Sequence, residues 1–398
     1  MLPPVHMGKL RQPAPAPPRF ALWQLGFRPF YLLASSFAAV SIGLWAAQFA
    51  GWLPRPYLLG PLWHAHEMLF GFTLAVMVGF LLTAGRNWSN RPTPTGLPLA
   101  GLALLWVAGR VLVLTPLGWA AAIVDAAFPI VAAAALAVPF WASRNRRNYF
   151  FVGLLVSMGV IDFGIHLSQL GVVELPAWVG MQIALDLLLF AMAVMAGRVI
   201  PMFTNNGVPG AGAERHALLE NAALGSVLAL LMADLLGLHG IALASIALFG
   251  AVAHGLRWAF WKPWKTRAAA LVWVLHAAYA WVPLHFALRA SSELGWSSVS
   301  TATHALTVGA AGGLIIGMMT RTARGHTGRP MRADRFDVAC YALVMTAALV
   351  RVAVPLALPA WSPHAVIVAA SLWSAGFALY AARYWPVLTR PRLDGEPG

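Results

Sequence analysis

Long runs of apolar residues, separated by short polar joints rich in proline, dominate this sequence. Runs of this length cross a bilayer as α-helices, because a helix rises about 1.5 Å per residue and the hydrocarbon core is about 30 Å thick. The pattern predicts twelve spans near residues 28–52, 62–84, 97–114, 118–142, 149–170, 178–200, 216–238, 239–261, 267–290, 298–320, 335–358 and 362–385. The short third run and the tight joint between the seventh and eighth leave eleven or thirteen spans open.

The predicted fold class is therefore all-α, a polytopic transmembrane helix bundle. Helices satisfy every backbone hydrogen bond within one segment, which a span in lipid requires. We expect one transmembrane domain over residues 28–385. A flexible, proline-rich basic tail over 1–27 precedes it, and a short tail over 386–398 follows. The composition agrees, since 10% of the residues are charged, against about 25% in soluble proteins.

The net charge of +14 would suggest nucleic-acid binding in a soluble protein. Here lysine and arginine concentrate at the amino terminus and in every second loop, so membrane orientation is the simpler cause. This asymmetry predicts that both termini are cytoplasmic. Membrane lipid, and no nucleic acid, is the expected partner of these charges. The opposite loops and helix ends hold only four arginines, Arg55, Arg110, Arg289 and Arg351.

The start of the second span carries three ionisable groups, His64, His66 and Glu67. Such groups inside lipid cost several kcal/mol unless they are paired, so they indicate a functional site. His64 and His66 lie about 200° apart on a regular helix, so one helix could offer imidazoles to two centres. Alternatively, His64 lies in the entering turn with His66 below it, or both are interfacial and satisfied by water.

The predicted orientation brings several histidines to one depth near the outer face. Imidazole suits haem iron and copper alike, and neither metal requires cysteine, of which the chain has only Cys340. Each histidine could instead bond a neighbouring carbonyl. Asp162, four residues before His166, is either a carboxylate that orients a ligand or a simple hydrogen-bonded partner. The histidines at this depth are His64, His66, His166, His285 and His304, while His276 is nearer the middle of its span.

Three of the outer arginines are candidates for contact with a cofactor. Arg110, Arg289 and Arg351 are near the outer ends of spans. A guanidinium there could pair with haem propionates or extend to lipid phosphate. Arg289 is the preferred candidate, because it lies one turn beyond His285.

Five segments resemble the NnrS family, and they run from the first span to the loop after the tenth. They are GFRPFYLLA (26–34), WHAHEMLFGF (63–72), GRVIPMFTNNGVPG (197–210), HALTVGAAGG (304–313) and MTRTARGHTGRP (319–330). The resemblance implies haem b, copper, an inner-membrane location and a part in tolerating nitric oxide. It assigns functional positions chiefly to His64, His66 and His304, and His276 in WVLHAAYAW also looks family-like.

A weaker, fold-level resemblance is to the twelve-span catalytic subunit of haem–copper oxidases. His64 precedes Met68 by four residues, as in the second helix of that subunit, and His304 begins a small-residue run like its tenth helix. That likeness implies one haem held by both histidines. The chain has no adjacent histidine pair in the seventh span and no His-x-His in the tenth, so an oxidase-type binuclear site is not implied.

The resemblances and residues together predict a bacterial inner-membrane haem and copper protein of nitric oxide metabolism. His64 and His304 are expected to hold haem, and His66, His276 and His285 are the candidates for copper or a second haem. Glu67 is expected to move a proton beside the site. As an enzyme, the protein would be a nitric oxide reductase-like oxidoreductase with an unknown electron donor.

The competing prediction is a secondary transporter for a metal ion or small solute. A transporter places its histidines and acids along a path through the membrane midplane. This chain concentrates histidine near the predicted outer face instead, so depth separates the two functions.

Overall fold

The computed structural model describes residues 20–52, 57–58 and 60–396. These residues form twelve long helices and no strand, which confirms the all-α bundle. Eleven of the helices are long and apolar enough to cross a membrane, and the remaining one, Gly96–Val113, is apolar but shorter. The protein is therefore a multi-pass membrane protein.

The helices are numbered α1 to α12 in chain order. Short 3₁₀ turns precede α5, α9 and α12. The bounds are α1 Phe27–Phe49, α2 Gly60–Ser89, α3 Gly96–Val113, α4 Gly118–Ala142, α5 Tyr149–Gln169, α6 Ala177–Gly207, α7 Ala217–Leu235, α8 Ile241–Phe260, α9 Ala270–Glu293, α10 Val299–His326, α11 Arg335–Ala357 and α12 Ser362–Thr389.

The joints between helices carry recognisable end signals. Asn90 adopts the left-handed conformation directly after α2, and Pro92 and Pro94 follow it in an extended segment before α3. Asp334 caps α11, where its side chain accepts two backbone N–H groups and Asp337 returns the contact. These signals fix where each helix turns back across the bundle.

Helices that follow one another along the chain pack side by side, and α12 packs against α1. The bundle therefore closes into a ring. Inside it, the middle parts of α2, α6 and α10 line a cavity of about 120 Å³, to which α1, α5 and α9 each add one side chain. We call α2, α6 and α10 the central helices. Each is the fourth helix after the one before it along the chain. The lining is apolar except for Tyr31 and Thr73.

Two of the central helices contain a π-helical segment that begins immediately after a histidine. In α2 it covers Glu67–Thr73 after His66, and in α10 it covers Ala305–Gly312 after His304. A π segment inserts an extra residue into the helix and is often found at functional sites. In both helices a glycine follows the histidine by five residues and another by thirteen. The sequence interpretation did not detect this internal similarity.

The predicted tails fall partly outside the described residues. Residues 1–19 of the predicted amino-terminal tail and residues 397–398 of the carboxy-terminal one are not described. Ala21 is buried, and its N–H donates to the carbonyl of Thr389 at 2.7 Å. This bond ties the chain ahead of α1 to the end of α12.

Candidate functional site

Four buried side chains from three helices meet near the predicted outer face. They are His66 on α2, Asp125 on α4, and Asp162 and His166 on α5, and we call them the His66 cluster. Each offers one nitrogen or carboxylate oxygen, and these four atoms all lie within 4.8 Å of one another. Asp162 and His166 share a face of α5 because they are four residues apart. The cluster has the residue types and the spacing of a metal site.

Both histidines of the cluster direct the same ring atom at the same carboxylates. Nε2 of His66 lies 2.7 Å from Oδ1 of Asp162 and 3.7 Å from Oδ2 of Asp125. Nε2 of His166 lies 3.6 Å from each of these two oxygens. The four donor atoms thus face a common centre.

A second layer of side chains holds these donors in place. Oε1 of Glu67 accepts from Nη1 of Arg110 at 2.7 Å and lies 3.0 Å from Nδ1 of His66. The other guanidinium nitrogen of Arg110 donates to Oδ1 of Asp125. The hydroxyl of Tyr57 contacts Nδ1 of His166. Each histidine therefore has its Nδ1 engaged outside the cluster while Nε2 faces inward.

A second site is formed by His64 on α2 and His304 on α10, which we call the His64–His304 pair. Both side chains are half-buried, and Arg351 of α11 contacts Ser300, the residue that also bonds His304. The ring of His64 stacks on Trp45 of α1, with centroids 4.6 Å apart and planes 24° apart. His64 is thus packed against α1, and His304 is linked through Ser300 to α11.

The donor atoms of this pair are also oriented. Nδ1 of His304 donates to the carbonyl of Ser300 at 2.6 Å, so its Nε2 carries the lone pair. Nδ1 of His64 is buried and has no hydrogen-bond partner among the described residues. Nη2 of Arg351 donates to Oγ of Ser300 at 3.3 Å.

The conformation of the start of α2 bears on the three alternatives that the sequence left open for His64 and His66. Gly60–His66 is a regular helix, and the π segment begins only at Glu67. His64 and His66 therefore point to different sides, the first toward Trp45 of α1 and the second toward α4 and α5. Glu67 contacts His66 and Arg110, so it belongs to the His66 cluster.

The other two predicted metal ligands lie elsewhere and have separate partners. Nε2 of His276 contacts Oγ1 of Thr204 at 2.8 Å, and His276 lines an open pocket of about 490 Å³ with several tryptophans. Nδ1 of His285 donates to the carbonyl of Ala302 at 2.8 Å, and its Nε2 is buried without a partner in the described chain. Neither joins the His66 cluster.

Of the three arginines predicted to contact a cofactor, two are paired with acidic side chains and one is not. Arg110 is paired with Asp125 and Glu67, as described above, and Arg289 is paired with Asp234 at 2.5 Å. Of the three, Arg351 is the one linked to a histidine predicted to hold haem, because it and His304 both contact Ser300.

Sequence reasoning missed one member of the His66 cluster, Asp125, and the side chains that hold the cluster from outside. Asp125 lies inside an apolar run, and nothing in the sequence indicates Arg110 as its partner. Tyr57 carried no signal, because it lies in the joint before α2. The spacing of Asp162 and His166 was the one visible clue.

The fold and the comparison with known families define this molecule as a polytopic membrane protein of a known family. A family model described as NnrS protein matches residues 21–392. The chain belongs to the NnrS family, whose members are membrane proteins linked to the nitric oxide response. This confirms the resemblance drawn from the sequence motifs. A comparison with curated proteins finds no match.

Proposed function

We propose that this protein is a haem protein of the bacterial inner membrane that binds nitric oxide and contributes to tolerance of it. The proposal assigns one haem b to His64 and His304. The observation that carries it is that His304 and Arg351 both contact Ser300, while the buried Nδ1 of His64 has no partner among the described residues. The family membership adds the link to nitric oxide.

The donor atoms suit a haem iron. The Ser300 carbonyl holds His304 with its Nε2 lone pair free, which is how metal-ligating histidines are usually oriented. The buried Nδ1 of His64 has no partner among the described residues, and such unpaired buried atoms are unusual unless something binds beside them. When bound, haem would supply an iron that changes oxidation state and has affinity for nitric oxide.

Arg351 is the residue proposed to bind a haem propionate. It has no carboxylate within salt-bridge distance in the described part of the chain, and its hydrogen bond to Ser300 is weak. Arg110 and Arg289 are already paired with aspartates. A guanidinium without a carboxylate partner can form a bidentate pair with a propionate.

The residues predicted to bind copper do not form a site that suits copper. Cuprous ion prefers thiolate, thioether and imidazole ligands. His276 and His285 have different partners, and His66 lies among carboxylates. No copper step is derived from these residues.

Transport of an ion or solute is the competing function. A transport path needs polar groups near the middle of the membrane. The cavity between the middle parts of α2, α6 and α10 is lined by aliphatic, methionine and phenylalanine side chains, with Tyr31 and Thr73 as the polar exceptions. The cavity therefore favours the haem proposal over an ion path.

Haem content in alanine variants tests this proposal. His64→Ala or His304→Ala removes a ligand that no described neighbour replaces, so haem should be lost or become high-spin. His216→Ala and His364→Ala are matched controls, because both residues are exposed and belong to neither candidate site. Equal haem content in all four variants would remove the proposed ligation.

A further inference from the structure

We propose that the His66 cluster is a second metal centre, which binds one divalent cation of the iron, manganese or zinc class. Its ligands are His66, Asp125, Asp162 and His166. The proposal does not depend on haem, because none of these side chains belongs to the His64–His304 pair.

The spacing of the donor atoms matches a coordination shell. Metal–ligand bonds of about 2.0–2.2 Å place neighbouring ligand atoms about 2.8–3.1 Å apart in octahedral geometry and about 3.3–3.6 Å apart in tetrahedral geometry. The measured separations between imidazole Nε2 and carboxylate oxygen atoms run from 2.7 to 3.7 Å. Small shifts of side chains would bring all four atoms to one ion.

The atoms that face the centre are left without other partners. Nε2 of His166 and Oδ2 of Asp125 are buried, lie 3.6 Å apart and lack hydrogen bonds within the described chain. His166 itself is 0% exposed. Buried polar atoms normally find a partner, so two of them facing one point indicate a bound ligand.

Both ring nitrogens of His66 face carboxylate oxygens. Nδ1 lies within 3.0 Å of Glu67 and Nε2 lies within 3.0 Å of Asp162. A neutral imidazole has one N–H group and makes only one of these contacts as an ordinary hydrogen bond, whereas an imidazolium ion makes both. A cation bound at Nε2 fits the neutral ring, whose N–H group then donates to Glu67.

The net charge of the cluster is compatible with one bound divalent cation. The cluster and its second layer contain three carboxylates, of Glu67, Asp125 and Asp162, and one guanidinium, of Arg110. With neutral imidazoles the net charge is −2, and burying such a charge without compensation is strongly unfavourable. One divalent cation balances it. Two imidazolium ions would balance it as well, and metal analysis distinguishes the two cases.

The second layer has the form that metal sites use to orient their ligands. A metal-bound histidine usually donates its other N–H to a carboxylate or another oxygen. His66 has Glu67 in that position and His166 has the hydroxyl of Tyr57. Arg110 holds Oδ1 of Asp125 and leaves Oδ2 for the centre.

The ligand set selects the class of cation. Two imidazoles with two carboxylates suit Fe²⁺, Mn²⁺ and Zn²⁺, whereas Cu⁺ prefers softer ligands. The single cysteine of the chain, Cys340, lies on α11 and is not a member of the cluster.

Metal analysis of the full-length protein in detergent tests this proposal, with Asp162→Asn compared against Asp186→Asn. Both aspartates are buried, but Asp186 lies on α6 outside the cluster and bonds Gln182. We expect one iron, manganese or zinc ion per chain, in addition to any haem iron, in the wild type and in Asp186→Asn. The ion should be lost from Asp162→Asn at unchanged haem content.

A second readout covers a variant that folds poorly or a preparation that has lost its metal. Added Zn²⁺ should raise the Tm of the metal-depleted wild type and of Asp186→Asn, because a ligand that binds the folded state stabilises it. It should leave the Tm of Asp162→Asn unchanged. Absence of Zn²⁺ binding to the wild type, equal binding by both variants, or copper as the sole ion in the isolated protein would overturn the proposal. Loss of haem binding alone would refute only the haem proposal.

Discussion

Nε2 of His66 lies 2.7 Å from Oδ1 of Asp162, although ninety-six positions separate the two residues along the chain. Two residues before His66, the ring of His64 stacks on Trp45 on another side of the same helix. The first turns of α2 therefore contribute one histidine to each of two separate sites. This division follows from the regular helix over Gly60–His66 and underlies the predictions that follow.

The first prediction separates the two sites. His66→Ala should leave the haem spectrum mostly intact while the divalent metal is lost, and His64→Ala should do the reverse. The physical reason is that the two imidazoles point in different directions from α2. Metal analysis and optical spectra on both variants check this. Loss of the same haem signal from both would mean that the two histidines serve one centre.

Glu67 provides a second prediction, because it holds His66 from outside the cluster. Replacing a carboxylate that orients a metal ligand typically lowers metal affinity about 10–100-fold. Glu67→Gln should weaken Zn²⁺ binding by about that factor at unchanged haem content. The exposed Glu174→Gln is the control and should bind Zn²⁺ like the wild type. Equal affinities, measured by competition with a chelator, would contradict the proposed role of Glu67.

Gly71, in the π segment of α2, gives a third prediction. A β-carbon there would lie 2.7 Å from Nη1 of Arg110 and 2.8 Å from Cε1 of Phe37. Gly71→Ala should therefore lower the free energy of unfolding by about 1–3 kcal/mol, as overpacking does. At Gly101 on α3 a β-carbon meets nothing within 4 Å. Gly101→Ala should instead stabilise by about 0.5–1 kcal/mol. Denaturation in detergent measures both, and equal effects would contradict the packing described around Arg110.

The orientation of the bundle remains a prediction from the distribution of positive charge. A phosphatase reporter fused after Arg392 should be inactive, because both termini are expected in the cytoplasm. The same reporter in the joint near Pro176, between α5 and α6, should be active. The opposite pattern would place both candidate sites on the cytoplasmic side.

Much of the fold could be predicted from the sequence, because long apolar runs in a membrane have only the helix available. The predicted spans correspond to the twelve helices, with ends displaced by a few residues, as in α12, which extends to Thr389. The π segments could not be predicted, since Gly71 and Gly309 suit ordinary close packing as well. The structure shows that Arg110 packs against Gly71 and that Trp281 packs against Gly309, where a β-carbon would collide with them.

Part of each candidate site could be predicted from sequence motifs and from helical spacing. His64 and His304 belong to recognisable motifs, and the spacing of Asp162 and His166 puts both on one face of α5. The meeting of Asp125 with Arg110 depends on how α3 and α4 pack, and sequence spacing carries no information about that. For the same reason Arg289, preferred from its distance to His285, is found against Asp234.

The most direct test of the central claim is the absorption spectrum of the purified full-length protein, with pyridine haemochrome analysis and a titration of the reduced form with nitric oxide. The account predicts a Soret band, a haemochrome of the b type and a spectral shift on addition of nitric oxide. A colourless protein that contains no haem, or a haem spectrum that nitric oxide leaves unchanged, would contradict it.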